Sequence, residues 1–320
     1  MLRFLTLALC VVIASALPAQ TASTPAVNDL GRHDFLYAGE SHDRRMFLVR
    51  GGKVVWSFDE PEGKGEISDA VMLSNGNILF AHQFAVEEIT PEKKVVWRYD
   101  VPAGHEVHTA VPIGLDRVLY IQNGNPAVLR VVNIRTNAIE KELPLATKNP
   151  ASTHGQFRHA RLTANGTLLV AHMDSDKVVE YDADGKELWS FPGKSVWGVT
   201  PLENGNVLIT DSVGVREVTR RGDAVWSWTR ADAPGLKFDN LQQAWRLPNG
   251  NTVIDNWGNE WNGKLGTETL QAVEVTPEKK AVWVLRSWAD PNFGPATTLQ
   301  FLDGPLGQVK AEDVRFGEIR

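Results

Sequence analysis

Short alternations of apolar and polar residues run along the chain from Asp34 onward, and no stretch sustains the 3.6-residue apolar period of a helix. Asn-Gly punctuates them. In Leu73-Ser74-Asn75-Gly76-Asn77-Ile78-Leu79-Phe80 the turn leads into an aliphatic strand, and Lys94-Val95-Val96-Trp97 follows. Asn165-Gly166-Thr167-Leu168-Leu169-Val170 is followed in the same way by Lys186-Glu187-Leu188-Trp189, and Asn204-Gly205-Asn206-Val207-Leu208-Ile209 by Asp223-Ala224-Val225-Trp226. Leu247-Pro248-Asn249-Gly250-Asn251-Thr252-Val253-Ile254 is followed by Ala281-Val282-Trp283. Asn-Gly between alternating runs signals a hairpin, because both residues accept positive φ. An all-strand repeat of roughly 40 residues has the spacing of a β-propeller blade.

Taken in order, the repeats predict an all-β, six-bladed β-propeller with four-stranded blades. Residues 35–58 supply three strands and lack the one that precedes the turn elsewhere. Complete units follow over 67–99, 107–143, 157–189, 196–226 and 242–283. The third has Leu115-Asp116-Arg117 in place of Asn-Gly and no closing Trp, and the sixth carries an insertion over 258–269. Thr297-Thr298-Leu299-Gln300-Phe301-Leu302 matches the strand missing from the first unit, so a C-terminal strand is expected to close the first blade and leave no open sheet edge. The propeller then spans 34–303. Residues 23–33 read as a disordered lead-in and 304–320 as a peripheral C-terminal tail. Trp56, Trp97, Trp189, Trp226 and Trp283 fall on the outermost strand of their blades, where a large ring fills the wide outer gap between neighbours.

The first 22 residues read as a signal peptide: Arg3, then an apolar run over 4–17, then small residues at cleavage points after Ala16, Ala19 or Ala22. The run is too short for a stable membrane span, which takes about 20 residues. Cys10, the only cysteine, lies inside it, so the mature chain folds without a disulfide. A periplasmic or extracellular, secreted protein is expected. The net charge of −6 comes with no basic stripe, which argues against nucleic acid as a partner. A monomer is expected.

The sequence Leu-Pro-Asn-Gly-Asn-Thr over 247–252, with Val-Glu-Val-Thr-Pro-Glu-Lys-Lys over 273–280 and the Ala-Val-Trp after it, resembles secreted bacterial propellers of the pyrroloquinoline-quinone-like superfamily. Within that superfamily it is most similar to the six-bladed arylsulfotransferase-type propellers. The likeness covers 34–303 and rests on motifs of blade construction. It implies, as one activity, sulfuryl transfer through a central histidine. The residues that hold the quinone and calcium in the larger eight-bladed members have no counterpart that can be placed here.

The inner strand of each blade lines the channel, and the loops before it and after the second strand share one face. His105, His108, His154 and His159 fall in or just after the first kind of loop, and His42, His82 and His172 at the end of the second strand. Only His33 of the eight histidines falls elsewhere. The repeat register sets His82, His172, Asp211, Asn256 and Gln122 at equivalent positions. It also aligns Asp69, Thr109, His159, Gly198 and Gln243 just before the channel-lining Ala or Val. Arg158, Trp197, Asp239, Asn240 and Trp257 join the same rim. A polar rim with a few aromatics is the make-up of a small-ligand site. The expected site therefore comprises His82, His105, His108, His154, His159, His172, Arg158, Trp197, Asp211, Asp239, Gln243, Asn256 and Trp257.

Imidazoles there can act as ligand contacts, acid or base, nucleophile or metal ligand. No H-x-x-x-H or H-E-x-x-H spacing points to a metal. There is no P-loop, G-x-G-x-x-G or G-x-S-x-G, so no cofactor is assigned. The expected function is binding of a small molecule or protein partner at the His-rich face. An arylsulfotransferase-like enzyme using His108 or His159, or a non-catalytic scaffold, is the alternative.

Overall fold

The computed structural model describes residues 26–40, 45–60, 65–258, 268–303 and 313–320. The expected signal peptide, His42, most of the sixth-unit insertion and the first half of the tail lie outside the described residues. The rest forms six antiparallel sheets of four core strands arranged as propeller blades. Lettered a to d from the channel outward, blade 1 is Ala296–Phe301, Phe35–Gly39, Arg45–Arg50 and Lys53–Asp59. Its strand a comes from the C-terminal region and pairs antiparallel with strand b, Leu299 opposite Tyr37, which closes the ring as expected.

Blade 2 is Asp69–Met72, Ile78–Ala81, Ala85–Ile89 and Val95–Asp100. Blade 3 is Glu106–Ile113, Arg117–Asn123, Ala127–Asn133 and Ala138–Leu145. Blade 4 is Phe157–Leu162, Leu168–His172, Lys177–Tyr181 and Glu187–Pro192, and blade 5 is Gly198–Pro201, Val207–Thr210, Gly214–Val218 and Ala224–Thr229. Blade 6 is Asn240–Arg246, Thr252–Trp257, Ala272–Val275 and Ala281–Leu285.

The Asn-Gly hairpins form, with a geometry other than the one expected. Gly76, Gly166, Gly205 and Gly250 have φ between +77° and +86°, whereas the Asn before each does not enter positive φ. Each turn is a type I turn followed by a left-handed glycine, closed by bonds such as Gly76 N–H to Leu73 O. In blades 2, 5 and 6 the Asn side chain accepts instead from the backbone N–H two residues on, as Asn75 does from Asn77, whereas in blade 4 Thr163 Oγ accepts from Thr167 N–H.

Apolar residues from facing blades build one core cluster per gap, for example Leu36, Met46 and Phe58 of blade 1 with Ile67, Ile78 and Phe80 of blade 2. The outer Trp residues also staple the blades. Trp56 donates its indole N–H to Pro91 O (2.7 Å), Trp189 to Arg220 O (3.1 Å) and Trp226 to Pro277 O (2.9 Å), each in the c–d turn of the next blade. Trp97 reaches Asn137 Oδ1 in the same way (2.8 Å). Blade 3 has no such Trp, and there Lys141 donates to Ala183 O in the equivalent turn of blade 4.

Two terminal segments depart from expectation. From Ala26 the lead-in is ordered: Val27–Asn28 adds a fifth, parallel strand to the outer edge of blade 6. Arg32 and His33 then both bond Glu274. The physical reason is that blade 6 would otherwise present an unpaired edge and a buried carboxylate. The end of the tail is likewise no periphery. Phe316 is fully buried among Ile113, Leu119, Phe157 and Leu168 of blades 3 and 4, and Gly317 N–H bonds Gly166 O.

Candidate functional site

The inner strands carry the site through a repeated irregularity. In blades 1, 3, 4 and 6 the a–b register slips at the top of strand a, across Thr297, His108–Thr109, Arg158–His159 and Gln242–Gln243. Such bulges re-aim side chains that a regular strand would turn into the blade gap. In blades 2 and 5 the same position just precedes the strand, where Ser68 N–H bonds Ala81 O and Trp197 N–H bonds Thr210 O. Two rings of residues result. The upper is Thr297, Ser68, His108, Arg158, Trp197 and Gln242, one from each blade, and all six line a cavity of about 350 Å³ at the channel mouth. His159, from the lower ring, also reaches the cavity, and Glu40, Glu66, Gln83, His154, Asn240 and Trp257 form its walls.

The lower ring is Thr298, Asp69, Thr109, His159, Gly198 and Gln243. Arg161 grips Asp69 with both Nη atoms at 2.8 Å, and Thr109 Oγ donates to the same carboxylate at 3.0 Å. Gln243 Nε2 lies 2.6 Å from His159 Nδ1 and 2.8 Å from Nε2. Burial pushes the Asp69 carboxyl up, but Arg161 and His159 outweigh it and hold it well below the usual carboxylate range. Burial pulls the His159 imidazole below its ordinary value, with Asp69 opposing. Asp255, fully buried beneath this ring, is pushed far up by burial, which favours its neutral form. Gly198 is required here, since a Cβ would stand 2.4 Å from Gln242 O.

One wall of the cavity concentrates charge. His108 Nε2 faces Glu106 Oε2 at 2.9 Å, and His154 Nδ1 faces the same oxygen at 2.8 Å. His108 Nδ1 lies 2.8 Å from Glu66 Oε1, 2.9 Å from Arg158 Nη1 and 3.0 Å from Ser68 Oγ. Arg158 Nη1 also donates to Glu66 Oε1 at 2.9 Å, and its guanidinium stacks 4.2 Å from the centroid of Trp197. Arg158 is 2% exposed, yet its Nη2 has no hydrogen-bond partner among the described residues. Burial raises the carboxyls of Glu66 and Glu106. For Glu66 the Arg158 and His108 charges outweigh it, and for Glu106 the two histidines do, leaving both well below the usual range. On the far wall Trp257 donates its indole N–H to Glu40.

Of the residues expected at the site, His108, His154, Arg158, His159, Trp197 and Trp257 line the cavity and Gln243 lies just beneath it. The others are held by local partners. His82 Nε2 faces Glu87, and His172 Nε2 lies 2.9 Å from the Tyr181 hydroxyl while its ring packs edge-on against Phe157. Asp211 bonds Arg216 and the N–H groups of Lys194, Val213 and Gly214, and Asn256 accepts from Asp239 N–H. The His105 ring packs over Gly124. At the equivalent position of His82, His172, Asp211 and Asn256 the side chain finds its partners within its own blade or the adjoining loops and does not line the cavity. Glu40, Glu66, Ser68, Gln83, Glu106 and Gln242 escaped sequence reasoning.

These features define a six-bladed β-propeller with a polar, aromatic-rimmed cavity at one end of its channel. Among solved structures, the chain is similar to a protein of unknown function from Bacteroides caccae, with a TM-score of 0.73 and 24% identity over 85% of this chain and 99% of that one. It is also similar to streptogramin B lyase, at a TM-score of 0.55 and 13% identity over 84% and 87% of the two chains. A catalytically inactive variant of virginiamycin B lyase from Staphylococcus aureus, solved with quinupristin, gives 0.55 and 11% over 82% and 87%. No protein-family model and no curated protein sequence matches the chain. At these identities the likeness establishes the fold. Among the described residues, no helix is long and apolar enough to cross a membrane.

Proposed function

We propose that this propeller, working outside the cytoplasm as a monomer, binds a small organic anion at the mouth of its channel. The observation that carries the reading is Arg158. It is almost fully buried, stacked on Trp197, and leaves Nη2 without a partner among the described residues in the wall of a ligand-sized cavity. Leaving a buried donor unmade costs roughly 1–3 kcal/mol, which an oxyanion would recover. The cavity volume of about 350 Å³ lies at the lower end of the usual range for small-molecule sites, and Trp197 and Trp257 supply flat apolar surface. Calorimetric titration with phenyl phosphate, phenyl sulfate and benzoate, against neutral benzyl alcohol, tests this. The anions should bind, and Arg158→Met should abolish the preference; equal binding of benzyl alcohol, or none by any compound, refutes it.

A second reading draws on the arylsulfotransferase resemblance and on His108 lying in the cavity beside Arg158. There a histidine nitrogen would take the sulfuryl group from an aryl sulfate and release the phenol. Release of 4-nitrophenol from 4-nitrophenyl sulfate, lost in His108→Ala and retained in His82→Gln, would favour it over simple binding.

A further inference from the structure

We infer that Glu66, His108 and His154 form a binding site for one first-row divalent cation at the edge of the cavity. One ligand atom from each of the three lies within 4.8 Å of the other two. Glu106 decides which nitrogens are available. Its Oε2 faces His108 Nε2 and His154 Nδ1, so each ring donates one N–H to that carboxylate. This fixes both tautomers and leaves His108 Nδ1, which lies 2.8 Å from Glu66 Oε1, and His154 Nε2 with free lone pairs. Histidines that ligate a metal characteristically donate their other N–H to a carboxylate.

The hydrogen bonding at His108 Nδ1 points the same way independently. That nitrogen is 2.8 Å from a carboxylate oxygen and 2.9 Å from an arginine N–H. Protonated, it opposes Arg158; unprotonated, it opposes Glu66. No tautomer satisfies both. A cation shared by Nδ1 and Glu66 removes the conflict, because both then donate lone pairs to the metal while Arg158 keeps its bond to Glu66. Two imidazoles and one carboxylate suit Mn²⁺, Fe²⁺, Co²⁺, Ni²⁺ or Zn²⁺ better than Mg²⁺ or Ca²⁺, which prefer all-oxygen shells. Three protein ligands leave coordination positions open toward the cavity. A second compact His/Glu group among the described residues, Glu60, His82 and Glu87, is buried and none of its members lines the cavity.

The site shares the cavity with the anion reading but is tested without any organic ligand, so either can fail alone. The full-length chain, stripped with EDTA, is titrated with Mn²⁺, Co²⁺ and Zn²⁺ by calorimetry, and the Co²⁺ form is examined by absorption spectroscopy. One ion per chain should bind, with the visible bands of a nitrogen- and oxygen-ligated Co²⁺. His154→Ala, at a side chain 54% exposed and therefore safe for folding, should abolish tight binding, as should Glu66→Gln. Glu106→Gln should weaken it by about 10–100-fold while retaining the ligands. His82→Gln should leave it unchanged. Binding that survives His154→Ala and Glu66→Gln, binding lost in His82→Gln, or no binding tighter than about 1 mM would each overturn the assignment.

Discussion

Trp283 donates its indole N–H to the carbonyl oxygen of Asp29 at 2.7 Å. The N-terminal lead-in thus stands where the next blade's c–d turn stands at the other Trp-bearing junctions. Chain closure therefore uses two clasps: strand a of blade 1 from the C-terminal region, and Asp29 with Val27–Asn28 on the outside of blade 6.

Replacing Trp283 by Phe should remove a bond worth about 1 kcal/mol and leave a void, since the ring is fully buried. Trp189→Phe loses the same kind of bond from a half-buried ring and should cost nearer the bond alone. Urea denaturation of both variants checks the order; equal losses would mean that the Asp29 clasp does not hold the ring closed.

Two histidines should give stability opposite pH slopes. Burial pulls the His33 imidazole down, but its bonds to Glu274 and Asp303 outweigh it and raise the folded value above the ordinary one. Its contribution is complete below a pH of about 6.5 and fades as pH rises through the folded value. Burial, aided by Lys177 and opposed by Asp174 and Glu187, lowers His172 to about 4. Its neutral form is native, so its contribution is complete above about 6.5 and is lost as pH falls toward 4, by up to roughly 3 kcal/mol. In thermal melts across pH 4–9, His33→Gln should flatten the alkaline limb and His172→Gln the acid limb. A single variant that flattened both would contradict the assignment.

The two channel carboxylates should respond differently to amidation. Asp69→Asn removes the partner of Arg161 and should cost about 3–5 kcal/mol, the figure for breaking a buried pair. Burial favours the neutral form of Asp255, whose Oδ1 accepts from Gln243 N–H, a role Asn keeps. Asp255→Asn should stay within about 1 kcal/mol of the parent. Chemical denaturation at pH 7 measures both, and a large loss in Asp255→Asn would show the carboxylate to be charged.

The architecture was legible because blades 2, 4, 5 and 6 repeat the same solution: a glycine that must turn left-handed, then a strand, then a Trp that reaches across the next junction. The turn conformation was not, since Asn-Gly serves two hairpin geometries and only the backbone reveals which. The cavity lining was legible only in part. Counting along the repeat picked out Asp69, Thr109, His159 and Gln243, whereas the upper ring is the residue before each. The signal was present as two adjacent polar residues between apolar ones, as in Val107-His108-Thr109-Ala110 and Leu241-Gln242-Gln243-Ala244. That break in alternation marks a bulge. Nothing local marks Glu66 or Glu106, whose roles depend on neighbours from other blades. His82 and His172 misled because equivalent register fixes a position along the strand but not the direction of a side chain.

Export is proposed from the sequence of residues 1–22 alone. Protein recovered from the periplasm or medium should begin, by N-terminal sequencing, between Leu17 and Ser23. Soluble cytoplasmic protein that retains Met1 would end the proposal.

The C-terminal anchor offers the sharpest test of how the ring is held opposite its closure. Blade 1, where strand a ends at Phe301, stands three blades from blade 4 in a ring of six. Yet Phe316 is fully buried between blades 3 and 4, with Val314 and Ile319 against the same cluster. Phe316 N–H and Ile319 N–H exchange bonds with each other's carbonyls, and Gly317 N–H bonds the hairpin at Gly166. The tail therefore ties two distant parts of the ring. Phe316→Ala should cost about 3–5 kcal/mol, as for a buried aromatic elsewhere. Glu318→Ala, two residues on and at the surface, should cost under about 0.5 kcal/mol. If the segment were an adherent surface strand, both changes would be equally mild. Hydrogen exchange adds a local readout, since Phe316→Ala should selectively deprotect the Gly166 and Thr167 amides of the blade 4 hairpin.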